Sequence, residues 1–71
     1  MQAPTQSQIE EEAKRLAVAL GSGVHLHVSA VMQAIDLQYP GLTEQQFADV
    51  REQCAEIVQA IRADALSKMW A

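Results

Sequence analysis

The chain has 71 residues, a formal net charge of −4 from nine Asp and Glu against five Lys and Arg, one Cys and 4% aromatic residues. This length argues against a multidomain protein and against most enzymes with an enclosed pocket. The acidic balance argues against autonomous nucleic-acid binding, which needs clustered Lys and Arg, and a lone Cys excludes an internal disulfide scaffold. Three Gly and two Pro leave little material for the turns of a small all-β fold. A chain this short buries only roughly 60% of the surface its unfolded form exposes. With neither disulfide nor metal to staple it, self-association is the usual remedy, and the composition points to a homo-oligomer, a dimer first of all.

Residues 1–6 lack the basic region and apolar run of a signal peptide and read as a flexible polar arm. Ser7 followed by Glu10 has the spacing of a capping box, in which each side chain satisfies the other residue's backbone N–H. Glu10, Glu11 and Glu12 then suit the positive end of a helix dipole, and Lys14 and Arg15 follow Glu10 and Glu11 at ion-pair spacing. Consecutive helical residues diverge, so the three glutamates read as helix-start charge, not as a catalytic or metal-binding cluster. Ile9, Ala13, Leu16, Ala17 and Leu20 form one apolar stripe, and Gly21 is a natural stop. The first helix is expected at about 8–20.

Val24 to Ser29 alternates apolar and polar residues as a half-buried strand would. Over a longer window the spacing is helical: Val24, Val28, Val31, Ile35 and Tyr39 share one apolar face, and Leu26, Ala30, Ala34 and Leu37 share another. A lone strand would have no partner in this chain. A second helix is therefore expected at about 24–38, the most buried of the set. From Leu16 to Ile35 there is no formally charged residue over 20 positions, the length of a membrane span. Gly21, Ser22, Gly23, His25, His27, Ser29 and Gln33 would stand near the bilayer centre, so the stretch reads as a helix end, a turn and a buried helix of a soluble cytoplasmic protein.

Pro40-Gly41 ends that helix, and Thr43 with Gln46 makes a second capping box flanked by Leu42 and Phe47 at the positions of a hydrophobic staple. Phe47, Val50, Cys54, Ile57 and Ile61 then follow a three-four spacing, continued by Val58, Ala65 and Met69. A third helix is expected at about 44–69, roughly 39 Å long. The fold class is all-α: a small three-helix bundle or helical hairpin with a long C-terminal helix, in a single domain.

No constellation in this sequence carries catalytic chemistry. His25 and His27 would chelate one ion on a strand but point about 200° apart on a helix, and no further Cys or His completes a tetrahedral set. Cys54 sits mid-stripe, where a thiol behaves as a small hydrophobe. The expectation is a non-enzymatic chain with no metal and no cofactor. Arg15-Leu16-Ala17-Val18-Ala19-Leu20-Gly21 followed by Val28-Ser29-Ala30-Val31 faintly resembles a helix-turn-helix, although the spacing after the glycine is one residue too long. That resemblance implies a transcription-related regulator. The would-be recognition helix carries no Lys, Arg or Asn, which direct readout needs, so DNA contact would have to use a partner or another face.

Val18 falls on the polar face of the first helix, and Trp70 projects away from the Phe47–Ile61 stripe with Leu66 partway round in the same direction. Ala48, Ala55, Ala63 and Leu66 also leave the back of the third helix less polar than a solvated face. Val18, Leu66, Met69 and Trp70 are therefore the candidate protein-interface residues. The expected role is that of a small acidic helical interaction protein, a self-associating regulator or inhibitor that occludes a protein partner. Its size and style are those of phage and mobile-element accessory factors. An alternative is an oligomeric small-molecule or nucleotide-binding module, with Arg15, Arg51, Arg62 or Lys68 as anion contacts.

Overall fold

Local capping decides where the first helix begins. In a computed structural model, which describes residues 3–69, the Thr5 hydroxyl accepts the Gln8 N–H at 3.2 Å and the Gln8 side chain accepts the Thr5 N–H at 2.8 Å. Helix α1 accordingly runs Gln6–Ala19, and the expected Ser7–Glu10 box is not used. Both pairs match the pattern, but the Thr5 box starts the helix two residues earlier and leaves Glu10 to pair with Lys14 at 2.9 Å. The expected polar arm is correspondingly shorter, because Pro4 is buried and Ala3 packs against the core. Arg15 pairs with Glu12 rather than with Glu11. The helix closes as its residues suggest: Gly21 adopts φ +85° and its N–H donates to the Val18 carbonyl at 3.0 Å.

The second element departs from expectation. Instead of one helix from residue 24, a 3₁₀ turn spans Gly23–His25, the chain is extended at Leu26 and His27, and helix α2 occupies Val28–Gln38. Packing explains the break. A Cβ placed on Gly23 would lie 2.8 Å from Ile61 Cγ2 and 3.3 Å from the Ile61 carbonyl oxygen, so only a glycine lets the turn approach the third helix this closely. The extended pair then sends Leu26 fully into the core while His25 and His27 stay exposed. The local alternation of Val24 to Val28 is therefore real, although it builds no strand.

Pro40 and Gly41, the latter at φ +104°, turn the chain into helix α3, Glu44–Met69. The second capping box forms as its sequence suggests, with Gln46 N–H donating to the Thr43 hydroxyl at 3.1 Å and Thr43 N–H to the Gln46 side chain at 3.0 Å. At 26 residues α3 is about 39 Å long, close to the 42 Å long axis of the molecule. The fold is thus a small all-α fold with a long C-terminal helix, with no strand among the described residues.

The core lies where the three helices meet. Ile9 and Ala13 come from α1, Leu26 from the connection, Val31, Met32 and Ile35 from α2, and Val50, Cys54, Ile57 and Val58 from α3. α2 gives the largest share of its length to the core, as its wide apolar arc requires. It lies antiparallel on α3: Val28 shares a groove with Val58, Arg62 and Leu66, and Asp36 shares one with Phe47 and Arg51. α1 meets the C-terminal half of α3, from Glu56 to Met69. A Gln38 side-chain amide donating to Glu12 at 2.9 Å ties the end of α2 to α1. No helix among the described residues is long and apolar enough to cross a membrane.

Candidate protein-interaction surface

Six large apolar side chains are exposed among the described residues: Val18 by 81%, Leu37 83% and Met69 65%, then Leu20, which the first helix's apolar stripe does not bury, Leu66 and Phe47. Val18 lies nine positions after the fully buried Ile9, about 180° round the helix at 100° per residue, and so points straight outward from α1. Leu66 and Met69 occupy the last turns of α3 but face two different grooves. Leu66 closes a groove of 340 Å³ with Val28, Ala55, Val58, Gln59, Arg62 and Ala63, on the α2 side. Met69 borders one of 400 Å³ with Ala17, Gly23, Ile61, Ala65 and Lys68, on the α1 side. The structure therefore does not gather Val18, Leu66 and Met69 into one patch. Leu66 and Met69 are neighbours one turn apart, Val18 stands on another helix and face, and Trp70 lies outside the described residues.

Leu37 is not among the interface candidates, because the helical spacing places it on an apolar face with Leu26. That grouping fails because Leu26 precedes α2 and is not on it. The helical spacing holds the correct signal, since Leu37 lies two positions after the buried Ile35 and hence about 200° round the helix, nearly opposite it. A further groove of 450 Å³ opens between α1 and α3, with an apolar floor of Ile57, Ala60 and Ile61 and a charged rim of Glu10, Lys14, Glu56 and Asp64.

Three ion pairs among the described residues each run along a single helix. The Glu10 carboxylate beside Lys14 raises the ammonium above its ordinary range, and Glu12 does the same for the Arg15 guanidinium. The Glu12 carboxyl is held below the usual range, chiefly by the Arg15 hydrogen bond with Gln38 adding to it. Lys68 pairs with Asp64 at 3.1 Å. Two of the four candidate anion contacts, Arg15 and Lys68, are thus engaged within their own helices. The other two, Arg51 and Arg62, lie three turns apart on α3, about 16 Å along its axis, and do not converge.

His25 and His27 are both exposed, one in the 3₁₀ turn and one at the N-cap of α2, where His27 makes no side-chain capping bond. No group of three His, Cys, Asp or Glu is placed to hold a metal ion among the described residues. Cys54 is fully buried, and burial pushes its thiol above the ordinary value, so at neutral pH it is a protonated small hydrophobe. The connection from Leu20 to His27 spans eight residues, against the three or four of a helix-turn-helix, and the exposed residues of α2 include Ser29, Gln33, Asp36, Leu37 and Gln38 but no cation. Compared with known proteins, the chain matches no family model, no curated protein and no solved structure.

Proposed function

We propose that this chain is a non-enzymatic helical interaction protein that associates with itself and regulates or inhibits a protein partner by covering part of its surface. One observation carries the reading. Among the described residues a core of only ten buried side chains, none of them aromatic, coexists with apolar side chains of the same size left on outer helix faces, Leu66 and Met69 on consecutive turns among them. Burying such side chains against a second surface removes apolar area from water at about 25 cal/mol per Å². For so small a domain this is a substantial fraction of total stability. The acidic remainder of the surface steers encounter with a basic partner and disfavours non-specific sticking between acidic molecules.

Two measurements test this reading. A self-associating chain melts at a temperature that rises with protomer concentration; a melting temperature unchanged over a hundredfold dilution would overturn the self-association. Affinity capture with the wild-type chain and with a Leu66→Asp, Met69→Asp variant, run side by side, tests the partner surface. Proteins retained by the first and lost from the second are expected, and identical sets on both would remove these residues from the partner interface.

A further inference from the structure

The outer face of α3 carries a second three-four repeat, formed by Ala48, Glu52, Ala55, Gln59, Arg62 and Leu66, and all six are exposed. Their order is self-complementary about position 57. Reversing the helix direction sets Leu66 opposite Ala48, Arg62 opposite Glu52 and Gln59 opposite Ala55. Each sign of charge then meets its opposite, and each large uncharged side chain meets an alanine. A parallel pairing would set Glu52 against Glu52 and Arg62 against Arg62. Neither residue has an ion-pair partner among the described residues, so both are available to a second molecule.

We infer that the chain forms a two-fold dimer in which the outer faces of two α3 helices pack antiparallel, with paired Glu52–Arg62 contacts flanking a centre of Ala55 and Gln59 and each Leu66 covering Ala48 of the other copy. This rests on the self-association proposed above and specifies its face and direction. Three physical arguments carry it. A molecule of net charge −4 meets its own copy most easily through a face whose charges cancel, and this face bears one acid and one base. The alternating three-four spacing keeps the same side chains at the seam over nearly three heptads, as antiparallel helix pairs require. Ala48 and Ala55 let the two backbones approach, while the groove beside Leu66, walled by Val28 and Val58, gives the partner helix apolar depth. The contact is isologous, so it closes at two copies and does not propagate.

The test is sedimentation equilibrium of the full chain and three variants, with circular dichroism to confirm helix content. The wild type is expected at twice the 7.8 kDa chain mass. Arg62→Glu places like charges at both pairs and should weaken the dimer about tenfold or more. Glu52→Arg combined with Arg62→Glu exchanges the signs and should restore it. Leu66→Gln, which changes no charge, should also weaken it. Charge reversal that dissociates the dimer, rescued by the double exchange, establishes the antiparallel register. A dimer unaffected by Arg62→Glu and Leu66→Gln overturns this interface and leaves self-association through another face standing. A wild type that stays monomeric overturns both.

Discussion

The two faces of α3 differ less in spacing than in what covers them. The inner stripe, Phe47, Val50, Cys54, Ile57 and Ile61, and the outer stripe, Ala48 to Leu66, both repeat at three and four residues. The inner stripe buries Val50, Cys54 and Ile57 under α1 and α2, whereas every member of the outer stripe is exposed. Periodicity therefore tells which side chains share a face. Size and charge tell what that face can meet: β-branched side chains and a thiol suit a permanent core, and alternating alanine, acid, amide and base suit a surface that assembles and separates.

The sharpest way to break that contrast is to truncate the inner stripe. Ile57→Ala is expected to lose about 2–5 kcal/mol of unfolding free energy, since the lost methylenes leave a cavity that α1 and α2 fill only in part. Denaturant titration at fixed protomer concentration reads it. The caps come next, and they work in opposite directions. Thr43→Ala removes an intact capping box and should cost about 1 kcal/mol, whereas His27→Asp supplies a side-chain acceptor at a position already extended and should stabilise α2 by about 0.5–1 kcal/mol. If both changes destabilise, the N-terminus of α2 is held by packing and not by its cap. The smallest effect belongs to Leu37→Gln on the outside of α2, expected within about 0.5 kcal/mol; a loss comparable to Ile57→Ala would mean that Leu37 is covered in solution by a second molecule.

Much of the architecture was legible because single residues forced it. Gly21 ends α1, the Thr43–Gln46 box opens α3, and the inner stripe of α3 points to the core, all as their chemistry demands. Elsewhere two local signals competed and a distant contact chose between them. At Val24 to Val28 the helical spacing of the longer window and the alternation of the shorter one disagreed. The close approach of Gly23 to Ile61, some forty residues away in sequence, decided for an extended connection. No local pattern contains that information. For the candidate interface residues the helical spacing points to outward faces, and Val18, Leu66 and Met69 are exposed; their distribution over separate faces follows from how α1 sits on α3, which periodicity within one helix does not specify.

The seat of Gly23 against Ile61 and Ala65 also orders events during synthesis. The turn joining α1 to α2 is synthesised some forty residues before the side chains it rests on. Until then Leu26 has no α3 surface to close over it, and an α1–α2 hairpin can pair only with itself. Completion of the core is therefore tied to the middle of α3, where Cys54, Ile57 and Val58 lie, and a chain truncated before Val50 would present Leu26 and Val31 to whatever chaperone or neighbour meets it first.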